Sequence, residues 1–97
     1  LEEAISKDYH VRFYDLDMNG HVNNSKYLDW IFEVMGAEFL TNHIPKKINL
    51  KYVKEVRPGG MITSSYELNQ LESNHQVTSD GDINAQAKIT WQEINKD

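Results

Sequence analysis

Asn24-Ser25-Lys26-Tyr27-Leu28-Asp29-Trp30-Ile31-Phe32-Glu33-Val34-Met35-Gly36-Ala37-Glu38-Phe39-Leu40 is the stretch on which the fold turns. Leu28, Ile31, Phe32, Met35 and Phe39 recur at helical spacing, and Tyr27, Trp30 and Val34 widen the apolar stripe. Only Lys26, Asp29 and Glu33 make a coherent polar face. The spacing predicts one long helix, capped by Asn23 or Asn24, ending between Thr41 and Pro45, and wrapped by other elements around most of its circumference.

On the N-terminal side, residues 7–14 alternate. Tyr9, Val11 and Phe13 share one side, and Asp8, His10, Arg12 and Tyr14 the other, the pattern of a half-buried strand ending near Tyr14. On the C-terminal side, Ile48, Leu50 and Tyr52 alternate with Asn49, Lys51 and Val53 as a second strand, and Pro58-Gly59-Gly60 turns the chain. Ile62, Ser64, Tyr66 and Leu68 form a third strand. Ser73-Asn74 is read as the next turn, Gln76 to Ser79 as a short fourth strand, and Asp80-Gly81 as a hairpin turn. Ile83, Ala85, Ala87, Ile89 and Trp91 then alternate without a break as the fifth. A strand, a buried helix and four strands on short turns make an α+β domain, with one antiparallel sheet of about five strands curled around a central helix. Such sheets rarely stand alone.

Ninety-seven residues fit a single domain, residues 1–97, with a small core. Hydrophobic residues at 39% and charged residues at 26% exclude both a disordered chain and a membrane protein. No apolar run reaches the roughly 18 to 20 residues of a bilayer span, and Leu1-Glu2-Glu3 opens neither a signal peptide nor a transit peptide, so the sequence reads as cytoplasmic. A start at Leu1 instead of Met suggests a domain cut from something longer. There is no cysteine, hence no disulfide, thiolate metal site or cysteine nucleophile. A net charge of −5 speaks against a nucleic-acid binder. The cations nevertheless concentrate in one place: Lys46, Lys47, Lys51, Lys54 and Arg57 stand against the single acid Glu55. That stripe is either a solvated strand face or a dock for an acidic partner.

The segment Asp15-Leu16-Asp17-Met18-Asn19-Gly20-His21-Val22-Asn23-Asn24 is the chemical centre. Asp15-x-Asp17-x-Asn19-Gly20 matches the opening of a calcium loop, but Lys26 occupies the position where the bidentate Glu is required, so no metal or other cofactor is expected. Asn23-Asn24-Ser25 fits a glycosylation sequon by chance. Read as an extended segment, Asp17, Asn19 and His21 alternate toward one side at the start of a helix, whose amino end favours developing negative charge. A carboxylate, an amide and an imidazole there suit acyl transfer. A lone His beside Asn residues is also at home in a turn or cap, so the pattern leaves both readings open.

Tyr14 to Ile31 nevertheless resembles, almost position by position, the signature of acyl-ACP thioesterases, with its D-x-N-x-H-V-N-N core followed by Tyr and Trp on the helix. Leu50-Lys51-Tyr52-Val53-Lys54-Glu55-Val56 is similar to the family stretch in which a Tyr is followed three residues later by a catalytic Glu. The resemblance spans the chain and implies a hotdog fold. It implies Asp17, Asn19, His21 and Glu55 as the catalytic group that hydrolyses an acyl-ACP thioester in fatty acid biosynthesis, with Gly20, Val22, Asn23 and Asn24 as substrate-binding neighbours. Glu55 would activate water or orient its partners. His21 and Asn19 would position thioester or water, and Asp17 would fix the histidine or act on the carbonyl. Family members often carry a Cys after this Glu; Val56 stands there, which favours carboxylate-assisted attack by water. Strict alternation groups Glu55 with Lys51 and Val53, away from Ile48, Leu50 and Tyr52, so a strand end or a bulge has to bring it round.

The resemblance also implies partners. These are an acidic acyl carrier protein and an N-terminal hotdog domain of the same chain or a homodimer mate, this chain being the C-terminal half. The competing expectations are a single-domain acyl-CoA thioesterase working as a homo-oligomer, and a non-catalytic acyl-binding or dimerisation module. Tyr27, Trp30 and Trp91 read as packing residues. His10, His43 and His75 read as surface or turn residues.

Overall fold

A computed structural model describes residues 4–94. Five strands, β1 (Ile5–His10), β2 (His43–Tyr52), β3 (Met61–Asn69), β4 (Glu72–Ser79) and β5 (Asp82–Glu93), form one antiparallel sheet in the order β1-β3-β4-β5-β2. Two helices, α1 (Asn24–Glu33) and α2 (Ala37–Asn42), lie between β1 and β2 in sequence. The α+β architecture is the expected one; the single long helix is not. Glu33 is followed by two turn residues and by Gly36 at φ 86°, ψ 156°, a conformation that only glycine adopts cheaply. The apolar periodicity runs across the break because both helices bury their stripes against the same sheet. Periodicity reports burial, not continuity.

One face of the sheet carries Ile62, Val77, Ala85, Ala87, Ile89 and Trp91, and these pack on Tyr27, Trp30, Ile31, Val34 and Met35. The opposite face is polar, with Ser65, Asn74, Gln76, Gln86 and Lys88 along the central strands. Burying the Trp30 and Trp91 rings supplies the largest single apolar contributions, about 25 cal/mol per Å² removed from water. β2 lies at the sheet's edge, and Ile44, Ile48 and Tyr52 on it are exposed.

Three boundaries differ from the sequence reading. β1 stops at His10, because the Asp15 carboxylate accepts the Arg12 N–H (2.7 Å) and closes a 3-10 turn over Phe13–Asp15, leaving Phe13 and Tyr14 in solvent. β2 starts at His43, directly after α2, and Pro45 is accommodated on this edge strand beside a register shift between Pro45 and Lys47. The β3–β4 turn is at Gln70-Leu71, with Gln70 at φ 58°, and not at Ser73-Asn74. Ser73 is instead fully buried in β4, and so is His75, which the sequence reading placed at the surface or in a turn. The Asp80-Gly81 hairpin is as expected, both residues having positive φ.

Candidate active site

The loop after the 3-10 turn is a compact hairpin, not an extended segment. Leu16 and Val22 form an antiparallel bridge, Asp17 N–H donates to the His21 carbonyl (2.7 Å), and Gly20 N–H donates to the Asp17 carbonyl (3.0 Å). The Asp17 carboxylate turns back on the loop, where Oδ1 accepts the Asn19 (2.9 Å) and His21 (3.1 Å) N–H groups. Asp, with its short acceptor side chain, is suited to this turn. The hairpin takes Asp17, Asn19 and His21 off one common side. Asp17 and His21 line a cleft of about 410 Å³ with Val22, Asn23, Asn24 and Tyr27, while Asn19 and Gly20 are on the exposed loop outside that lining.

The opposite wall is the segment after β2. The β2–β5 ladder runs to Tyr52 opposite Ala85 and stops there. Across β5 the register with β4 shifts, so that Asn84 is an extra residue between Ile83 and Ala85. The clean alternation expected of β5 is broken at that point, and Ile83 is exposed while Asn84 is buried. The bulged Asn84 carbonyl accepts both Val53 N–H (2.8 Å) and Lys54 N–H (3.1 Å). Its side-chain Nδ2 donates to the carbonyls of Lys54 (3.0 Å) and Glu55 (3.4 Å). One residue on, Val56 N–H donates to the buried Tyr27 hydroxyl (3.1 Å). The segment therefore leaves the ladder, and the Glu55 side chain escapes the face that alternation assigns to it.

Glu55 Oε1 lies 3.4 Å from His21 Nδ1, with both side chains more than half exposed. Two stretches separated by the helical region thus meet at one cleft. Tyr52 donates from its hydroxyl to the Asn24 carbonyl (3.3 Å), and its ring meets that of Tyr27 edge-on at 5.3 Å, tying the end of β2 to the start of α1. Burial pushes the Tyr27 phenol above its ordinary pKa, the nearby Glu55 carboxylate adds to this, and the Val56 hydrogen bond opposes it, so the phenol is neutral at working pH. The two aspartates that opened the calcium-like motif do not converge. Asp15 faces Arg12 N–H and the Lys26 ammonium (3.3 Å), and Asp17 faces its own loop. Asn84, Tyr27 and Tyr52 were not singled out from sequence as site residues. Nothing local marks the bulge at Asn84 except a polar side chain close after the Asp80-Gly81 turn.

The sequence model of the acyl-ACP thioesterase C-terminal domain matches residues 1–93. The chain belongs to that family. Oleoyl-acyl carrier protein thioesterase 2, chloroplastic, of Arabidopsis thaliana is 37% identical over 65 residues, which are 67% of this chain and 17% of that protein. The palmitoyl-acyl carrier protein thioesterase, chloroplastic, of Gossypium hirsutum is 30% identical over 84 residues, 87% of this chain and 20% of that protein. The chain thus spans about a fifth of the length of these relatives. Among solved structures, a putative oleoyl thioesterase from Lactobacillus plantarum superposes with a TM-score of 0.90 at 29% identity, covering 99% of this chain and 40% of that one. The 12:0-ACP thioesterase from Umbellularia californica gives 0.79 at 25% identity, over 90% of this chain and 35% of that one. Both neighbours bear the name thioesterase, and the five-stranded sheet with its helices recurs in the part of each that superposes.

Proposed function

We propose that this chain is the C-terminal hotdog domain of an acyl-ACP thioesterase and that it carries the hydrolytic group, Asp17, Asn19, His21 and Glu55. The observation that carries the reading is the 3.4 Å approach of Glu55 to His21 in a cleft beside the amino end of α1. Glu55 takes a proton from water as the oxygen attacks the thioester carbonyl. A C–O bond forms, the C–S bond breaks, and the thiolate of the carrier's pantetheine leaves and takes up a proton, giving free fatty acid and the thiol carrier. No cysteine exists to act as nucleophile. His21 holds the water or the carbonyl. Asp17 acts first through the loop, since its carboxylate fixes the His21 backbone. Asn19, at the loop tip, reaches the reaction only from the substrate's open side.

The partner of stated chemistry is an acidic carrier protein, met by Lys46, Lys47, Lys51 and Arg57, all exposed, while Lys54 is committed to Asp82 at 2.7 Å. A second hotdog domain, from the same chain or a mate, would cover the exposed apolar residues Ile44, Ile48 and Tyr52 on edge strand β2. No helix among the described residues is long and apolar enough to cross a membrane, and the plant relatives named above are chloroplastic.

The test is turnover of oleoyl-, palmitoyl- and dodecanoyl-ACP by the full-length chain. Glu55→Ala and His21→Ala should each lower kcat at least about a hundredfold, as removal of an acid-base group does. Unchanged turnover in both variants overturns the site. A preference for acyl-CoA at equal chain length favours the homo-oligomeric acyl-CoA enzyme, and binding without turnover favours the acyl-binding module.

A further inference from the structure

We infer that Asn84 is a positioning residue for the Glu55 carboxylate, acting through the backbone of residues 53–55. The inference rests on Glu55 being the reacting group proposed above. Its starting point is the conflict between alternation and location: a strand continued past Tyr52 would send the Glu55 side chain to the face of Lys51 and Val53, away from His21. What cancels that continuation is a single residue. Asn84 is 1% exposed and makes four hydrogen bonds to three consecutive residues, two through its carbonyl and two through its amide nitrogen.

The amide has only one usable orientation. Ser79 Oγ donates to Asn84 Oδ1 at 2.7 Å, which turns Nδ2 toward the carbonyls of Lys54 and Glu55. A flipped amide would set an oxygen against two carbonyl oxygens and leave the serine proton facing N–H. The carbonyl supplies the other half: Asn84 stands opposite Val53, one step past the last ladder pair of Tyr52 and Ala85, and its carbonyl accepts from Val53 N–H and also from Lys54 N–H, so the chain turns out of the strand there. Asp has the same shape but no donor. At this position it would place a carboxylate oxygen against the same two carbonyls, which releases the turn and lets Glu55 drift from His21.

Reacting groups lose catalytic efficiency when displaced by about an ångström, with KM little affected if substrate contacts survive. The experiment is a double-mutant cycle in the full-length chain with oleoyl-, palmitoyl- and dodecanoyl-ACP. Asn84→Asp should lower kcat about tenfold to a hundredfold with KM within about twofold, and in a Glu55→Ala background it should lower kcat by less than about twofold further. Ser79→Ala, which frees the amide to rotate without touching the bulge, should lower kcat about threefold to tenfold, and it decides the matter if Asn84→Asp fails to fold. The inference is overturned by wild-type kcat in Asn84→Asp or Ser79→Ala while Glu55→Ala is inactive. It is equally overturned if Asn84→Asp costs the same factor in both backgrounds, since that is a general loss of structure. Wild-type turnover in Glu55→Ala instead removes the functional reading beneath it.

Discussion

Two buried polar clusters sit between β4 and β5, one at the cleft end and one toward the β3–β4 turn at the other end, and they are built on opposite terms. At the cleft end, Asn84 has a partner for each of its side-chain polar atoms and for its carbonyl. At the other end, Ser73 Oγ accepts the Trp91 Nε1–H (2.8 Å) and is hydrogen-bonded to His75 Nε2 (2.7 Å). The other ring nitrogen, Nδ1, has no partner among the described residues. The first cluster shapes the backbone along a cleft open to solvent. The second holds a titratable ring in a dry core with half its capacity unused, so it is a liability that pH can expose.

The largest effect expected from that contrast is acid sensitivity. Burial holds the His75 pKa down to about 4 against an ordinary 6.5. The unfolded chain therefore binds a proton below 6.5 that the folded chain refuses until about 4, and stability falls as pH falls through that window. The loss is roughly 3 kcal/mol in all, at 1.36 kcal/mol per unit. Urea midpoints at pH 7 and pH 5 should diverge in the wild type and lie much closer in His75→Leu. Parallel slopes in the two proteins would show that the ring is not what titrates. Next in size is Ser73→Ala, which strands both His75 Nε2 and Trp91 Nε1 in a closed core and should cost about 2 kcal/mol at pH 7, read as a lowered urea midpoint at constant m-value.

The same contrast explains what the sequence could disclose. Apolar alternation in Ile83 to Trp91 and the Asp80-Gly81 pair made β5 and its hairpin legible, because period-two burial and positive φ leave a mark on residue type. The loop motif and the Tyr52-to-Glu55 spacing made the two walls of the cleft legible through family resemblance. Their meeting was implied by the same resemblance, but the device behind it was not legible, since it uses one extra residue in β5, and a bulge at Asn84 needs no special residue type. His75 was misjudged for a related reason: a polar residue next to Asn74 has the composition of a turn, yet the Ser73–His75–Trp91 bonds let it lie inside a strand. The helix break was written at Gly36, but the apolar stripe on both sides of it spoke louder.

The smallest effect separates the two clusters most cleanly. Tyr27→Phe strands one group, the Val56 N–H, whereas Ser73→Ala strands two, so bond counting alone already makes Tyr27→Phe the milder change. Location widens the gap. The Val56 amide stands one residue from the half-exposed Glu55, and Tyr27 lines a cleft that water enters, so a water can take up the freed N–H when the hydroxyl is gone. Tyr27→Phe should then cost only about 1 kcal/mol, below Ser73→Ala, with kcat reduced severalfold because Asn84 still holds residues 53–55. A thermal or urea midpoint for Tyr27→Phe that falls as far as that of Ser73→Ala would mean the cleft end is as dry as the surroundings of Ser73, and the division drawn between the two clusters would fail.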